Sequence, residues 1–100
     1  MKTITTDEIL NLLDANEDLN LIDVREESEV ADGVIPGAIH IPLGELSNRK
    51  VELDATKPYI IVCRSGRRSA DATAYLTEQG FDATNYEGGM LEYEGELEFK

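Results

Sequence analysis

The sequence predicts a single α/β domain with a mostly parallel sheet. Short apolar stretches alternate with stretches of helical periodicity along the 100 residues, a pattern typical of helices packed on a parallel sheet. The most hydrophobic stretch, residues 59–62, follows Pro58 and predicts a central strand that is buried on both faces. A predicted helix over residues 68–79 comes soon after it. In such sheets the chemistry lies where strands end and helices begin, which directs attention to residues 63–69.

The elements before the central strand are predicted from capping and apolar patterns. Thr5 and Glu8 have the spacing of a capping box, which predicts the start of a helix. One face of this helix carries three apolar residues, Ile9, Leu12 and Leu13. The apolar run over residues 19–24 is long enough for one buried strand. These patterns predict a helix followed by a strand.

Shorter signals complete the alternation of helices and strands. Residues 26–32 are polar and predict one or two helical turns that end at Gly33. Residues 38–41 predict another short strand, which is flanked by Pro36 and Gly37 on one side and by Pro42 on the other. Gly80 has the position of a helix C-cap, and residues 82–86 predict the last strand.

Charge and composition exclude several classes of function. The chain has 21 acidic and 9 basic residues, a net charge of −12, and such a field repels phosphate backbones and anionic lipids. We therefore expect no nucleic-acid or membrane partner. No apolar run approaches the roughly 20 residues of a membrane span, and the N-terminus lacks the apolar centre of a signal peptide. Without repeats or linkers, residues 1–100 form one domain, which we expect to be cytoplasmic and, by default, monomeric.

A single cysteine limits what the chain can bind. Cys63 has no second cysteine with which to form an intramolecular disulfide or a multi-thiolate metal site. We expect neither a metal nor an organic cofactor. Free cysteine is often a small core residue, so a purely structural role is the alternative to a catalytic one.

The loop after the central strand combines this cysteine with a cluster of positive charge. Three of the nine basic residues lie within positions 64–68 of an otherwise acidic protein. Basic residues in a first helical turn oppose the helix dipole, so their presence indicates an anionic ligand. Glycine lets the chain curl so that successive amides converge, and such a site stabilises a thiolate. The sequence predicts a nucleophile, Cys63, in an anion-binding loop formed by Arg64, Ser65, Gly66, Arg67 and Arg68, with Ser69 as a further donor.

Three separated motifs resemble a known family, the single-domain rhodanese-like sulfurtransferases. They are residues 63–69, residues 21–26 with 35–42, and the Tyr-Glu-Gly-Gly-Met of residues 86–90. The resemblance covers nearly the whole chain and implies a five-stranded parallel sheet flanked by helices. It also implies that Cys63 takes a sulfane sulfur from a small-molecule donor such as thiosulfate and passes it to a thiophilic acceptor, either cyanide or a thiol. The amides of residues 64–68 would hold the charge of the outer sulfur.

The chain departs from the family pattern at two positions, and three other polar residues invite a functional interpretation. Val34 replaces the usual histidine, and Tyr93 replaces a tryptophan; neither position carries the sulfur in the family. Asp23 and Arg25 lie at the end of the strand predicted over residues 19–24, where the family has an ion pair that orients loops, and we predict a structural role. We also predict a structural role for His40, since a thiolate needs no general base.

Two alternatives to the sulfurtransferase remain. One is a carrier or sensor that hands its persulfide to a partner protein's thiol and turns over small molecules poorly. The other is a phosphatase-like or arsenate-reducing enzyme, whose loop has the form Cys-x5-Arg. Here Cys63 and Arg68 form a Cys-x4-Arg loop, a tighter cradle that favours a persulfide over a tetrahedral oxyanion.

Overall fold

A computed structural model describes residues 1–99, which form one parallel sheet with helices on both faces. In chain order the elements are β1 (Thr3–Ile4), α1 (Thr6–Asp14), β2 (Leu21–Asp23), α2 (Glu27–Val30), β3 (Ile39–His40), α3 (Leu46–Arg49), β4 (Pro58–Val62), α4 (Arg67–Glu78), β5 (Asp82–Tyr86) and α5 (Gly89–Glu92). Two 3-10 turns, Leu43–Glu45 and Lys50–Glu52, flank α3. None of the helices in this part of the chain is long and apolar enough to cross a membrane.

The sheet is five-stranded and parallel throughout, with the order β1-β5-β4-β2-β3. Strand β4 lies at the centre, between β5 and β2, as its hydrophobic sequence predicts. Its residues alternate between two apolar cores: Tyr59 and Ile61 belong to one, while Val62 belongs to the other. Because parallel strands share one direction, their carboxyl ends meet at one edge, and the loop after β4 emerges there.

The two longest helices begin and end close to their predicted positions. At the start of α1, the Glu8 amide donates to Thr5 Oγ1 at 3.2 Å and the Thr5 amide donates to Glu8 Oε1 at 3.0 Å, which confirms the predicted capping box. Ile9 of this helix is fully buried. Helix α4 begins one residue before the predicted start, and Gly80 follows it with a φ of +92°.

Several predicted elements are shorter in the structure than in the sequence pattern. The strands predicted over residues 19–24 and 38–41 are Leu21–Asp23 and Ile39–His40. The apolar pattern extends further because flanking residues are buried by side-chain packing, whereas β2 and β3 pair over only two residues each. Strand β1 and the helical segment around α3 had no individual prediction, since each is too short to show a clear period.

The C-terminal segment folds back onto the turn that precedes β3. Val34 and Glu98 form an antiparallel bridge, with amide-to-carbonyl distances of 2.9 and 2.8 Å. The Glu98 carboxylate also accepts a hydrogen bond of 3.1 Å from the Gly37 amide. This contact joins parts of the chain that are about 60 residues apart.

Candidate active site

The predicted anion-binding loop lies at the carboxyl edge of the sheet, between β4 and α4. Cys63 directly follows β4 and is fully buried. Gly66 is the N-cap of α4 and has a φ of +91°, a left-handed conformation that favours glycine. Its lack of a side chain means that α4 receives no side-chain cap from its own N-cap residue. The first amides of the helix are therefore left for another acceptor.

The sulfur of Cys63 is that acceptor. The Gly66 amide donates to Sγ at 3.1 Å, and the Ser69 hydroxyl lies 3.2 Å from it. Burial opposes ionisation of the thiol, but hydrogen bonds from the Ser69 hydroxyl and from loop amides outweigh it and hold the pKa of Cys63 below that of an ordinary thiol. These amides belong to Ser69, Ser65 and Gly66. The loop thus stabilises the thiolate, the nucleophilic form.

The short helix α5, which follows β5, holds the backbone of this loop in place. The Met90 amide donates to the Cys63 carbonyl at 2.9 Å, and the Leu91 amide donates to the Arg64 carbonyl at 3.0 Å. These two hydrogen bonds fix the positions of the loop carbonyls, while the Gly66 amide on the other side of the loop donates to Sγ. A Cβ on Gly89 would lie 2.3 Å from the Arg64 carbonyl oxygen, so only glycine allows this approach.

The three loop arginines have different surroundings. Arg64 and Arg67 are exposed and form no ion pair with any residue in the described range 1–99. Arg68 instead makes a bidentate ion pair with Glu29 of α2, at 2.6 and 2.8 Å. Hydrogen bonding to Arg68 lowers the pKa of Glu29 to about 2. Two guanidinium groups thus remain available to an anionic ligand, while the third is already paired.

A small recess opens beside the loop. It has a volume of about 170 Å³ and is lined by Arg25, Glu29, Asp32, Arg64, Met90 and Leu91. This is below the roughly 300–1,000 Å³ of pockets for drug-sized ligands, and a small anion fits such a space better. Among residues 1–99 there is no cluster of three or more histidine, cysteine or acidic side chains placed to hold a metal ion.

Asp23, Arg25 and His40 are joined by hydrogen bonds beside the loop; Asp23 and Arg25 are buried, and His40 is partly buried. Arg25 Nη2 lies 2.8 Å from Asp23 Oδ2 and also donates to the Gly33 carbonyl at 2.8 Å. His40 Nε2 lies 2.7 Å from the Arg25 carbonyl oxygen. Both side chains of the ion pair are buried, so each charge depends on its partner. These contacts join the end of β2 to the chain around Gly33, and the structural role of the three residues stays a prediction.

Comparison with known proteins identifies the family. The Rhodanese-like domain family matches residues 5–96 of the chain. The chain belongs to the rhodanese-like domain family. The match extends from the N-cap of α1 to four residues beyond the end of α5, so it includes the whole loop around Cys63. It confirms the resemblance seen in the three motifs.

Individual relatives agree with this assignment. The "Putative sulfurtransferase YtwF" of Bacillus subtilis (strain 168) is 47% identical over 100 residues, covering 100% of this chain and 97% of that protein. The "Putative sulfur carrier protein YrkF" of the same organism is 41% identical over 96 residues, 95% of this chain and 47% of that protein. The crystal structure of a rhodanese-like domain protein from Staphylococcus aureus superposes on this one with a TM-score of 0.94 and 42% sequence identity. The alignment covers 100% of this chain and 99% of that chain.

The residues of the rhodanese-like loop are predictable from the sequence, but those that hold the loop in place are not. Cys63, Gly66 and Ser69 meet as expected, because they lie within seven consecutive residues. Glu29, Asn85 and Gly89 were not assigned roles, although each contacts the loop. Only the paired glycines of residues 88–89 carried a signal, as part of the family motif.

Proposed function

We propose that this protein is a sulfurtransferase that carries a sulfane sulfur on Cys63 as a persulfide. The observation that carries the proposal is the set of donors around Sγ: the Gly66 amide at 3.1 Å and the Ser69 hydroxyl at 3.2 Å favour a thiolate within a rhodanese-like loop. Cys63 is the single cysteine of the chain and is not part of a disulfide, so its sulfur is free to take up the sulfane sulfur.

The reaction with thiosulfate as donor proceeds in two displacements. The Cys63 thiolate attacks the outer sulfur of thiosulfate, an S–S bond forms at Sγ, and sulfite leaves with the electron pair of the broken S–S bond. Cyanide or a thiolate then attacks the outer sulfur of the persulfide. The product, thiocyanate or an acceptor persulfide, leaves, and the Cys63 thiolate is regenerated with its electron pair. The steps balance without an oxidant, a metal or a general base.

The surroundings of the loop support a small anionic donor. Arg64 lines the recess of about 170 Å³, and Arg67 lies exposed on the first turn of α4. Because both side chains are positively charged and unpaired, they attract the thiosulfate dianion to the loop. Arg68 adds positive charge to the same helix start, although direct contact with the donor would require its pair with Glu29 to open. In the persulfide, the outer sulfur lies about 2 Å beyond the buried Sγ, within closer reach of an acceptor.

A carrier that serves a partner protein is the second candidate. It is favoured by the likeness to the "Putative sulfur carrier protein YrkF" and by an exposed apolar side chain, Leu91, which lines the recess together with Arg64. The phosphatase-like alternative is disfavoured because the last arginine of the Cys-x4-Arg loop is occupied by a carboxylate.

Intact-protein mass spectrometry tests the persulfide directly. Protein treated with thiosulfate should gain the mass of one sulfur atom and lose it again, with release of thiocyanate, when cyanide is added. Cys63→Ser should gain nothing while keeping the circular dichroism spectrum of the parent. Catalytic turnover on thiosulfate and cyanide supports the enzyme, whereas loading without turnover supports the carrier. If the parent gains no sulfur from thiosulfate or from other sulfane donors, the persulfide function is wrong.

A further inference from the structure

Asn85 places a polar side chain beneath the active-site loop. It lies in β5, paired with Thr3 of β1 on one side and Ile61 of β4 on the other, and it is only 5% exposed. Its side-chain amide donates to the Gly66 carbonyl at 3.2 Å. This hydrogen bond joins the last strand of the sheet to the N-cap of α4, across 19 residues of sequence.

The other half of the Asn85 amide group has no partner. Within residues 1–99, no donor reaches the buried Oδ1. An unpaired buried acceptor destabilises the folded protein, and asparagine is itself disfavoured inside strands. An apolar residue of similar size would avoid both penalties. Asn85 is therefore unfavourable for the stability of the fold. Its hydrogen bond to the Gly66 carbonyl is the contact that an apolar residue could not make.

Gly66 is the residue whose orientation matters most to the sulfur. Its N–H points at Sγ from 3.1 Å, while its carbonyl receives the Asn85 amide. Glycine has the widest backbone freedom of all residues, and this one has no side chain with which to hold itself in position. A Cβ here would lie 2.3 Å from the Glu87 carbonyl oxygen, so Gly66 cannot carry a side chain that would hold it. Its carbonyl accepts two hydrogen bonds: one from the Ala70 amide of α4 at 3.1 Å, and one from Asn85, the donor that lies outside the helix.

We propose that Asn85 is a positioning residue for Cys63: its amide adds a second hydrogen bond to the Gly66 carbonyl, besides the one from Ala70, and so keeps the Gly66 N–H aimed at Sγ. The proposal rests on the proposed function in one respect, since a well-aimed N–H matters only if the thiolate reacts. The alignment of the Gly66 N–H with Sγ does not itself depend on sulfur transfer. Fixing one end of the glycine limits rotation of the peptide groups on either side of it, and a hydrogen bond to an anion weakens steeply when its donor turns away.

The replacement Asn85→Leu separates this role from a structural one. It removes the hydrogen bond to Gly66 and also removes the unpaired acceptor, while keeping the number and branching of the side-chain heavy atoms. If Asn85 positions the loop, the thiolate loses part of its stabilisation, and the midpoint of the pH profile for alkylation by iodoacetamide rises by about 0.5–1 pH unit. The urea midpoint should stay the same or increase. A purely structural residue would give the opposite result, with lower stability and an unchanged alkylation profile.

The chain offers a matched control in Asn20. Its side-chain amide also donates to a backbone carbonyl, that of Pro58 at 3.1 Å, but at the amino end of β4, away from Cys63. Asn20→Leu should leave the alkylation midpoint of the parent unchanged. Should Asn85→Leu fail to fold, Asn85→Ala removes the same donor with a smaller side chain, and its alkylation profile must show the same upward shift.

These measurements keep the two proposals apart. Alkylation reports the thiolate without any sulfur donor, so an upward shift in Asn85→Leu stands even if thiosulfate proves to be the wrong substrate. An unchanged midpoint in both Asn85 variants overturns the positioning role, whether or not the parent transfers sulfur. An equal shift in Asn20→Leu overturns it as well, because the effect would then not depend on contact with the loop.

Discussion

Helices α1 and α4 both begin at the carboxyl edge of the sheet, but their first amides are satisfied in different ways. Thr5 and Glu8 cap α1 from within its own sequence, and Asp7 and Glu8 place negative charge at the positive end of its dipole. Helix α4 starts at a glycine without a side-chain cap, carries two arginines and no acid in its first turn, and directs the Gly66 amide at Sγ of Cys63.

The difference shows how to separate a structural helix start from a functional one. At a helix N-terminus that is capped by its own side chains, as in α1, the capped amides do not bind a ligand. A start that leaves its amides to a thiolate, and adds positive charge, is less stable by itself and must be held by other elements. Here α2 supplies Glu29 to Arg68, β5 supplies Asn85 to Gly66, and amides of α5 bind the loop carbonyls.

Adding a methyl group at the start of α4 should have the largest effect. In Gly66→Ala the new Cβ would meet the Glu87 carbonyl oxygen at 2.3 Å, so the loop must shift and the amide must leave Sγ. We expect sulfur transfer to fall by about 100-fold, the usual consequence of a shift of about 1 Å in a reacting group. Steady-state thiocyanate production measures it.

Gly80→Ala is the matched control for that change. Gly80 has a φ of +92°, almost the same as the +91° of Gly66, but no atom lies within 4 Å of its Cβ position. It should lose about 1 kcal/mol of stability through backbone strain and keep the parental rate of transfer. Equal losses of transfer in both variants would mean that strain, rather than the contact with Glu87, controls the loop.

Removing the unpaired arginines should weaken donor binding. The double variant Arg64→Ala/Arg67→Ala should raise KM for thiosulfate on the order of tenfold, equivalent to about 1.4 kcal/mol, with a smaller change in kcat. Arg49→Ala is the control, because Arg49 is paired with Glu45 and Glu52 and does not belong to the loop. A fall in kcat with no change in KM would show that the two arginines act after binding.

Removing the cap of α1 should affect stability alone. Thr5→Ala deletes the side chain that accepts the Glu8 amide, at a cost of about 1 kcal/mol in the free energy of unfolding. Urea denaturation measures the loss. The alkylation rate of Cys63 should equal that of the parent; a slower rate would show that the two helix starts are coupled.

A further expected effect is on stability in acid. Hydrogen bonding to Arg68 holds the pKa of Glu29 at about 2, below its ordinary 4.5, so the pair stabilises the fold above about pH 4.5 and loses that contribution as the pH falls toward 2. In Glu29→Gln the difference in unfolding free energy from the parent should shrink across this range. Urea midpoints at several pH values test it, and a constant difference would contradict the assignment.

The sequence by itself determined those features that depend on neighbouring residues. The capping box of α1, the buried strand β4, the helix α4 and the loop around Cys63 are each written within about a dozen consecutive residues, and local hydrogen bonding and burial specify them. The chemistry of the loop was predictable for the same reason, because a cysteine, a glycine and the following helix start act on one another directly.

Only the tertiary structure decided how that loop is held. Glu29 meets Arg68 across 39 residues, and Asn85 meets Gly66 across 19. The bridge between Val34 and Glu98 is likewise long-range. None of these contacts follows a helical or strand period, since each depends on which strands become neighbours in the sheet order β1-β5-β4-β2-β3. The order of the strands brings β5 beneath the helix start, and packing of side chains then selects the contacts that aim the amides at the sulfur.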